Sequence, residues 1–133
     1  MSADAVTYVD SSAIVRLIVR EAETDALRRH LVHRDRLVSS ALARAEVMRA
    51  VLPLDAATQQ RGREVLRAVN FVRISERVLD DAGALLPPTL RTLDAIHVAT
   101  AALFGETLDQ VITYDERMSA AAKTNDMTVS APA

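Results

Sequence analysis

Val6-Thr7-Tyr8-Val9-Asp10 is a short run of β-forming residues that ends on a carboxylate. Residues 11–20 follow without a linker and have the pattern of a helix. The stretch therefore predicts a strand and a helix, with Asp10 between them. The same alternation continues to the end of the chain.

Four further strands are predicted at residues 37–39, 71–74, 110–113 and 127–130. Helices are predicted at residues 23–34, 41–52, 55–69, 75–86, 92–105 and 115–125. Asp55, Ser75 and Thr92 are expected to cap the helices that they begin, and Gly105 to end one. Strands that alternate with helices predict an α/β fold around a mostly parallel five-stranded sheet.

Composition limits the chemistry that the chain can carry. Its 133 residues correspond to one domain over residues 1–133, and half of them are apolar, which is enough to form a core. Cysteine is absent and there are only three histidines, which excludes a thiolate metal site and disfavours zinc. A metal ion would therefore be held by oxygen, which favours Mg²⁺ or Mn²⁺.

Charge and hydropathy indicate which partners the protein can attract and where in the cell it is expected. The formal net charge of −2 gives no global attraction to nucleic acid, so such binding would be local or metal-assisted. The N-terminus lacks the pattern of a signal peptide, and the apolar stretch at residues 95–105 is too short to span a bilayer. We therefore expect a cytoplasmic protein.

Two carboxylates lie where ligands bind in α/β proteins. In open sheets the ligand site lies beyond the carboxyl ends of the strands, where the strand order reverses. Asp10 follows the first strand and Asp115 follows the fourth. If these strands are neighbours, the two side chains face one crevice, although each aspartate could instead serve only as a helix N-cap.

Two more acids lie within helices. Asp94 lies in the first turn of a helix that is apolar almost all round, where a carboxylate is costly unless it is paired or binds a metal. The helix dipole alone could explain Asp94, and an ion pair with Arg49 or another arginine could explain Glu46. Four converging acids would repel one another, and a divalent cation would relieve that repulsion and activate a water.

Four short motifs occur in a fixed order along nearly the whole length of the chain. They are Tyr8-Val9-Asp10-Ser11-Ser12-Ala13, Ala45-Glu46-Val47, Leu93-Asp94-Ala95-Ile96-His97-Val98-Ala99 and Thr113-Tyr114-Asp115. Together they resemble the motifs of the PIN-domain family, and most closely those of the VapC-type ribonuclease toxins of bacterial toxin–antitoxin pairs. Each motif alone is weak, whereas the order, the chain length and the αβ alternation together are specific.

The resemblance implies a three-layer PIN-like fold with strand order 3-2-1-4-5, so that strands one and four are neighbours. It implies endonucleolytic cleavage of RNA with Mg²⁺ or Mn²⁺, a homodimer, and a cognate antitoxin that blocks the active site. The implied catalytic and metal-binding residues are Asp10, Glu46, Asp94 and Asp115. Glu46 would share the metal or orient the attacking water. Thr113 would support the acids, and Ser11 is expected to donate to Asp10.

Other polar residues have simpler interpretations. We expect His97, one turn from Asp94, to be packed or hydrogen-bonded rather than a metal ligand. Asp109 is expected to precede the fourth strand, at the wrong end for the site. Five arginines are candidates for phosphate contact, although a solvated surface charge explains each more simply: Arg16, Arg20, Arg44, Arg49 and Arg91.

Two other functions remain open. A phosphoaspartyl hydrolase needs a second aspartate two residues after the first, where this chain has Ser12. A receiver domain needs an acidic pair at the end of its first strand, where this chain has Val9-Asp10. Both residues argue against these Mg²⁺ enzymes. A non-catalytic PIN-like module that binds RNA or protein is the other alternative. A metal-dependent RNA cleavage assay separates it from a nuclease.

Overall fold

A parallel sheet of five strands lies at the centre of the computed structural model, which describes residues 4–133. The strands are β1 (Val6–Val9), β2 (Leu37–Ser40), β3 (Asn70–Val72), β4 (Leu108–Ile112) and β5 (Val129–Ser130). Their order is β3-β2-β1-β4-β5, and all four pairings are parallel. The predicted sheet and its strand order are confirmed.

Helices cover both faces of the sheet and give three layers. They are α1 (Ser11–Ile18), α2 (Thr24–Leu31), α3 (Leu42–Val51), α4 (Ala56–Leu66), α5 (Glu76–Gly83), α6 (Thr92–Ala102) and α7 (Glu116–Thr124). None of the helices within residues 4–133 is long and apolar enough to cross a membrane.

The two faces of the sheet are buried against different helices. Val9 and Ile112 pack with α1 to α4, whereas Tyr8 and Val111 pack with α6 and α7. Successive side chains of a strand point to opposite faces, so every side chain of a central strand covered on both sides is buried. All four residues of β1 are buried accordingly.

The order in which strands are added to the sheet reverses between β1 and β4. From β1 the chain moves outward through β2 to β3, then returns to place β4 on the other side of β1. Val9 pairs with Ile112 at the carboxyl ends of these two strands. The residues that follow β1 and β4 therefore meet at one edge, which is where α/β folds bind ligands.

Several predicted boundaries are wrong. Thr92 does not cap α6, because the Arg91 carbonyl already accepts the Ala95 N–H and Arg91 takes the N-cap position. The helix ends at Ala102, and Gly105 adopts a left-handed φ of 52°, which favours glycine, and begins a 3₁₀ turn.

The limits of the strands also differ from the predicted ones, and β5 begins at Val129 rather than at residue 127. β3 ends at Val72, so Ile74 lies outside it. β4 begins at Leu108, so Asp109 lies inside the strand rather than before it. Asp109 is nonetheless at the end of β4 remote from the Val9–Ile112 edge, where its carboxylate lies 3.6 Å from Arg34.

Candidate active site

Asp10 lies between β1 and α1 and is only 5% exposed. Its Oδ1 accepts hydrogen bonds from the Ala13 N–H at 3.1 Å and from the Ser12 hydroxyl at 2.6 Å. Its Oδ2 accepts from the Thr113 hydroxyl at 2.5 Å. Burial raises the pKa of Asp10, and the hydrogen bonds from Ser12 and Thr113 oppose that rise. The carboxylate both caps α1 and stands at the strand reversal.

Two hydroxyl groups join the loops after β1 and β4. Besides donating to Asp10, Ser12 accepts the Tyr114 N–H at 2.9 Å, and Thr113 accepts the Asp115 N–H at 3.1 Å. Ser11 was expected to donate to Asp10, and this is wrong. The Ser11 side chain leaves the first turn of α1 toward α3, and the next residue, Ser12, takes the expected place.

Glu46 reaches the same region from α3. Its Oε1 accepts hydrogen bonds from Ser11 at 2.5 Å and from Nε2 of His97 at 2.7 Å. Burial opposes ionisation of Glu46, but the hydrogen bonds from His97 and Ser11 outweigh it, so its pKa is lowered. No arginine among residues 4–133 pairs with Glu46, so the alternative explanation of an ion pair with Arg49 or another arginine does not hold in the part of the chain described.

His97 is a buried, hydrogen-bonded side chain, as predicted. It is 3% exposed, and its Nδ1 lies 2.6 Å from the Tyr8 hydroxyl. Because Nε2 contacts Glu46, both ring nitrogens have protein partners. A metal-ligand role for His97 would require one of these contacts to break.

Asp94 and Asp115 complete the set. Asp94 is half-buried in the first turn of α6, and none of the described residues donates a hydrogen bond to it. Burial raises the pKa of Asp94, and the negative charges of Asp115, Asp10 and Glu46 raise it further. Asp115 is exposed and caps α7, where its Oδ1 accepts the N–H groups of Arg117 at 2.8 Å and Met118 at 3.3 Å.

We call these four carboxylates the acidic cluster: Asp10, Glu46, Asp94 and Asp115. They come from the loop after β1, from α3, from α6 and from the loop after β4. The negative charges of Asp115, Asp10 and Glu46 all act on Asp94, so each lies within electrostatic reach of that carboxylate. Within residues 4–133 no three of them, alone or with histidine, are close enough together to enclose a metal ion.

The chemistry of the acidic cluster fits a hard divalent cation. Every available donor is a carboxylate oxygen, which is the ligand type that Mg²⁺ and Mn²⁺ prefer. Asp94 has no hydrogen bond from the described residues to balance its charge, and its neighbours disfavour its ionised form. A cation near Asp94 would offset this repulsion, with inward movement of side chains to close the shell.

Proteins of a known family are similar to this chain in sequence. The PIN domain pattern matches residues 7–124. The chain belongs to the PIN-domain family. Ribonuclease VapC46 of Mycobacterium tuberculosis is 57% identical over 128 residues, which cover 96% of this chain and 98% of that relative. Ribonuclease VapC35 of the same species is 36% identical over 129 residues, covering 94% and 96%.

Solved structures share the fold at lower identity. A toxin-antitoxin complex from Klebsiella pneumoniae contains a chain with a TM-score of 0.73 and 23% identity, covering 96% of this chain and 98% of its own. VapC20 of Mycobacterium tuberculosis, described as a sarcin-ricin loop cleaving toxin, has a TM-score of 0.69 and 15% identity, with 86% and 94% covered.

The arginines of this PIN domain divide into engaged and free groups. Arg16 lies 3.1 Å from Glu23, stacks 4.2 Å over the Tyr114 ring and donates to the Ser12 carbonyl. Arg20 pairs with Asp25 at the surface, and Arg44 lies 6.0 Å over the Phe71 ring. Arg49 and Arg91 are exposed and pair with no residue in 4–133, so they are the freest of the five to contact phosphate.

Proposed function

We propose that this chain is a metal-dependent endoribonuclease that acts as the toxin of a toxin–antitoxin pair. The observation that carries the proposal is the acidic cluster, four carboxylates from separate elements at the β1–β4 reversal. The 57% identity to a protein named as a ribonuclease, over nearly the whole of both chains, supports RNA as the substrate.

The acidic cluster would hold Mg²⁺ or Mn²⁺ through Asp10, Asp94 and Asp115, with Glu46 as a further ligand or as the residue that orients water. When bound, such a cation supplies a Lewis acid that favours formation of hydroxide and stabilises charge on the phosphodiester. Asp10 is the fixed point, because three hydrogen bonds hold its two oxygens.

The remaining carboxylates are free to adjust. Asp94 accepts no hydrogen bond from residues 4–133, and Asp115 uses only Oδ1 to cap α7. Oε2 of Glu46 could accept a proton from the attacking water, since the Ser11 and His97 donors both contact Oε1. The chain thus combines one rigid acid with three whose oxygens remain available.

Two protein partners belong to the same proposal. A cognate antitoxin would restrain the activity, and a second copy of the chain would form a homodimer. Support comes from the identity to VapC ribonucleases and from the shared fold with a chain of a toxin-antitoxin complex. Co-expression of the chain with the product of a neighbouring gene, followed by light scattering, tests both partners.

Substitution of Asp10 tests the proposal most directly. Asp10→Asn removes the charge but keeps the side-chain shape and its acceptor oxygen, so the fold should survive. We expect EDTA-sensitive RNA cleavage to fall by roughly 100-fold or more, since metal-assisted charge stabilisation contributes several kcal/mol. Cleavage of labelled RNA in Mg²⁺ or Mn²⁺ and circular dichroism are the measurements.

Asp80→Asn is the matched control, because Asp80 is exposed on α5 and lies outside the acidic cluster. It should cleave RNA as the parent chain does. Full activity of Asp10→Asn would overturn the role of the acidic cluster. A parent chain without EDTA-sensitive cleavage of any RNA would instead favour a non-catalytic PIN-like module.

A further inference from the structure

The two oxygens of Glu46 have different surroundings. Oε1 accepts both hydrogen bonds, from Ser11 at 2.5 Å and from His97 at 2.7 Å. Oε2 receives none from residues 4–133, and it is not among the buried atoms that lack a partner, so it is open to solvent. The carboxylate is therefore held through one oxygen, and the other remains available.

The ring of His97 is fixed on every side. It is 3% exposed, and the Tyr8 ring packs against it edge-on, with centroids 5.8 Å apart and an interplanar angle of 82°. Nδ1 lies 2.6 Å from the Tyr8 hydroxyl and Nε2 lies 2.7 Å from Glu46. Rotation of the ring would break both hydrogen bonds in a buried site, where unsatisfied polar groups are costly.

The groups at the two ends set the direction of these hydrogen bonds, since the Ser40 N–H can only donate and the Glu46 carboxylate can only accept. The Ser40 N–H donates to the Tyr8 hydroxyl oxygen at 3.1 Å, which leaves the Tyr8 proton to be donated. A tyrosine hydroxyl keeps this proton at neutral pH. The nearest acceptor is Nδ1 of His97, and a neutral imidazole that accepts at Nδ1 carries its proton on Nε2. That Nε2–H then donates to Glu46.

We propose that Tyr8 and His97 are positioning residues that fix the His97 tautomer and hold Glu46 through Oε1, leaving Oε2 for the reacting water or the cation. The proposal rests on the proposed function for the role of Oε2. The hydrogen-bond chain runs from the Ser40 N–H through Tyr8 and His97 to Glu46, and both rings are buried. Both residues act only through the carboxylate.

Nuclear magnetic resonance tests the tautomer without reference to activity. In the ¹⁵N-histidine-labelled chain, long-range ¹H–¹⁵N correlations should show His97 protonated at Nε2, with Nδ1 as an acceptor. Tyr8→Phe keeps the ring but removes the O–H, and it should shift the Nδ1 resonance and let the second tautomer appear. A parent chain protonated at Nδ1, or a Tyr8→Phe spectrum unchanged at His97, would overturn the proposal.

Metal affinity and kinetics test the positioning role. His97→Leu removes the donor to Glu46, whereas His97→Gln can restore an N–H near the Nε2 position. We expect His97→Leu to weaken Mn²⁺ binding and to lower kcat by roughly 10- to 100-fold, with little change in KM for RNA, as is usual when a residue that orients a metal ligand is lost. His97→Gln should recover most of both. Equal losses in the two variants would argue against a donor role.

His30→Leu is the matched control. His30 also hydrogen-bonds through Nε2, to Gln110 at 2.8 Å, but it lies on α2, away from the acidic cluster. It should leave Mn²⁺ affinity and kcat unchanged. Absence of EDTA-sensitive cleavage in the parent chain would count against the proposed function alone, because the tautomer and the Mn²⁺ affinity are measured without RNA.

Discussion

At the scale of single residues, Asp10 both caps a helix and lies at the point where the strand order reverses. The same Oδ1 that accepts the Ala13 N–H at the start of α1 belongs to a carboxylate at the strand reversal. Its cap orients the side chain, and Thr113 fixes the second oxygen. A buried carboxylate held in this way is preorganised, at the cost of the desolvation that raises its pKa.

Thr113→Val should show what that support contributes. The substitution keeps the shape of the side chain but removes the donor to Oδ2 of Asp10, which is 5% exposed. We expect a loss of roughly 1.5–3 kcal/mol in the free energy of unfolding at pH 7, the usual value of a hydrogen bond to a charged group. Cleavage should fall as well. Urea denaturation measures the change, and Thr113→Ser, which keeps the hydroxyl, should recover most of it.

The positions of the acidic residues could be predicted from the sequence, but the side chains that hydrogen-bond to them could not. Asp10 and Asp115 could be placed because both follow strands, and a carboxylate on the apolar helix α6 was conspicuous at Asp94. Ser11 was predicted as the donor to Asp10, whereas Ser12 donates, because the geometry of the helix start decides which hydroxyl turns back. The contact of Tyr8 with His97 joins residues 89 positions apart, and no local pattern encodes it.

At the scale of elements, the alternation of strands and helices was predictable, but several ends were not. The pattern carried the helix after Asp55 to residue 69, whereas α4 ends at Leu66. Residues 67 to 69 bond to carbonyls three positions earlier, which is the tighter turn with which helices often finish. The helical pattern of the sequence therefore continues through residues 67 to 69, although the α-helix has already ended at Leu66.

Gly62 tests how α4 packs against α1 and α3. A Cβ at this position would lie 3.3 Å from Met48 Sδ, 3.5 Å from Val51 and 3.6 Å from Ile18. Because Met48 is flexible, we expect Gly62→Ala to be neutral or to stabilise by up to about 1 kcal/mol, the gain in helix propensity. Gly62→Leu should destabilise by about 1–3 kcal/mol through overpacking. Urea denaturation measures both changes.

Gly83 provides the comparison for this prediction. It is the last residue of α5, and a Cβ there meets no other atom within 4 Å, so Gly83→Ala reports propensity without packing. A clear loss of stability in Gly62→Ala alone would mean that Met48 cannot move and that the crossing of α1, α3 and α4 requires glycine.

At the scale of the whole molecule, charge is balanced overall but concentrated locally. The chain has 16 basic and 18 acidic residues, yet the acidic cluster gathers four carboxylates at one edge of the sheet. Substrate RNA, which is itself negative, would therefore be repelled there until a cation offsets the charge. The repulsion among the four carboxylates also lowers the free energy of unfolding, and the stability of the metal-free chain should show this cost.

The pH dependence of stability in EDTA is the expected sign of that cost. Burial raises the pKa values of Asp10 and Asp94 above the ordinary aspartate value of about 3.9, so between these values the folded chain binds more protons than the unfolded one. The contribution of these two groups to stability should therefore rise as the pH falls through their folded pKa values toward about 3.9. Glu46 has a lowered pKa, so its contribution should be lost only below its unfolded value of about 4.3. Asp10→Asn should be more stable than the parent chain at pH 7 and should show a smaller rise in thermal midpoint on acidification. A thermal midpoint of the parent chain that falls steadily from pH 7 to 5 would contradict this prediction.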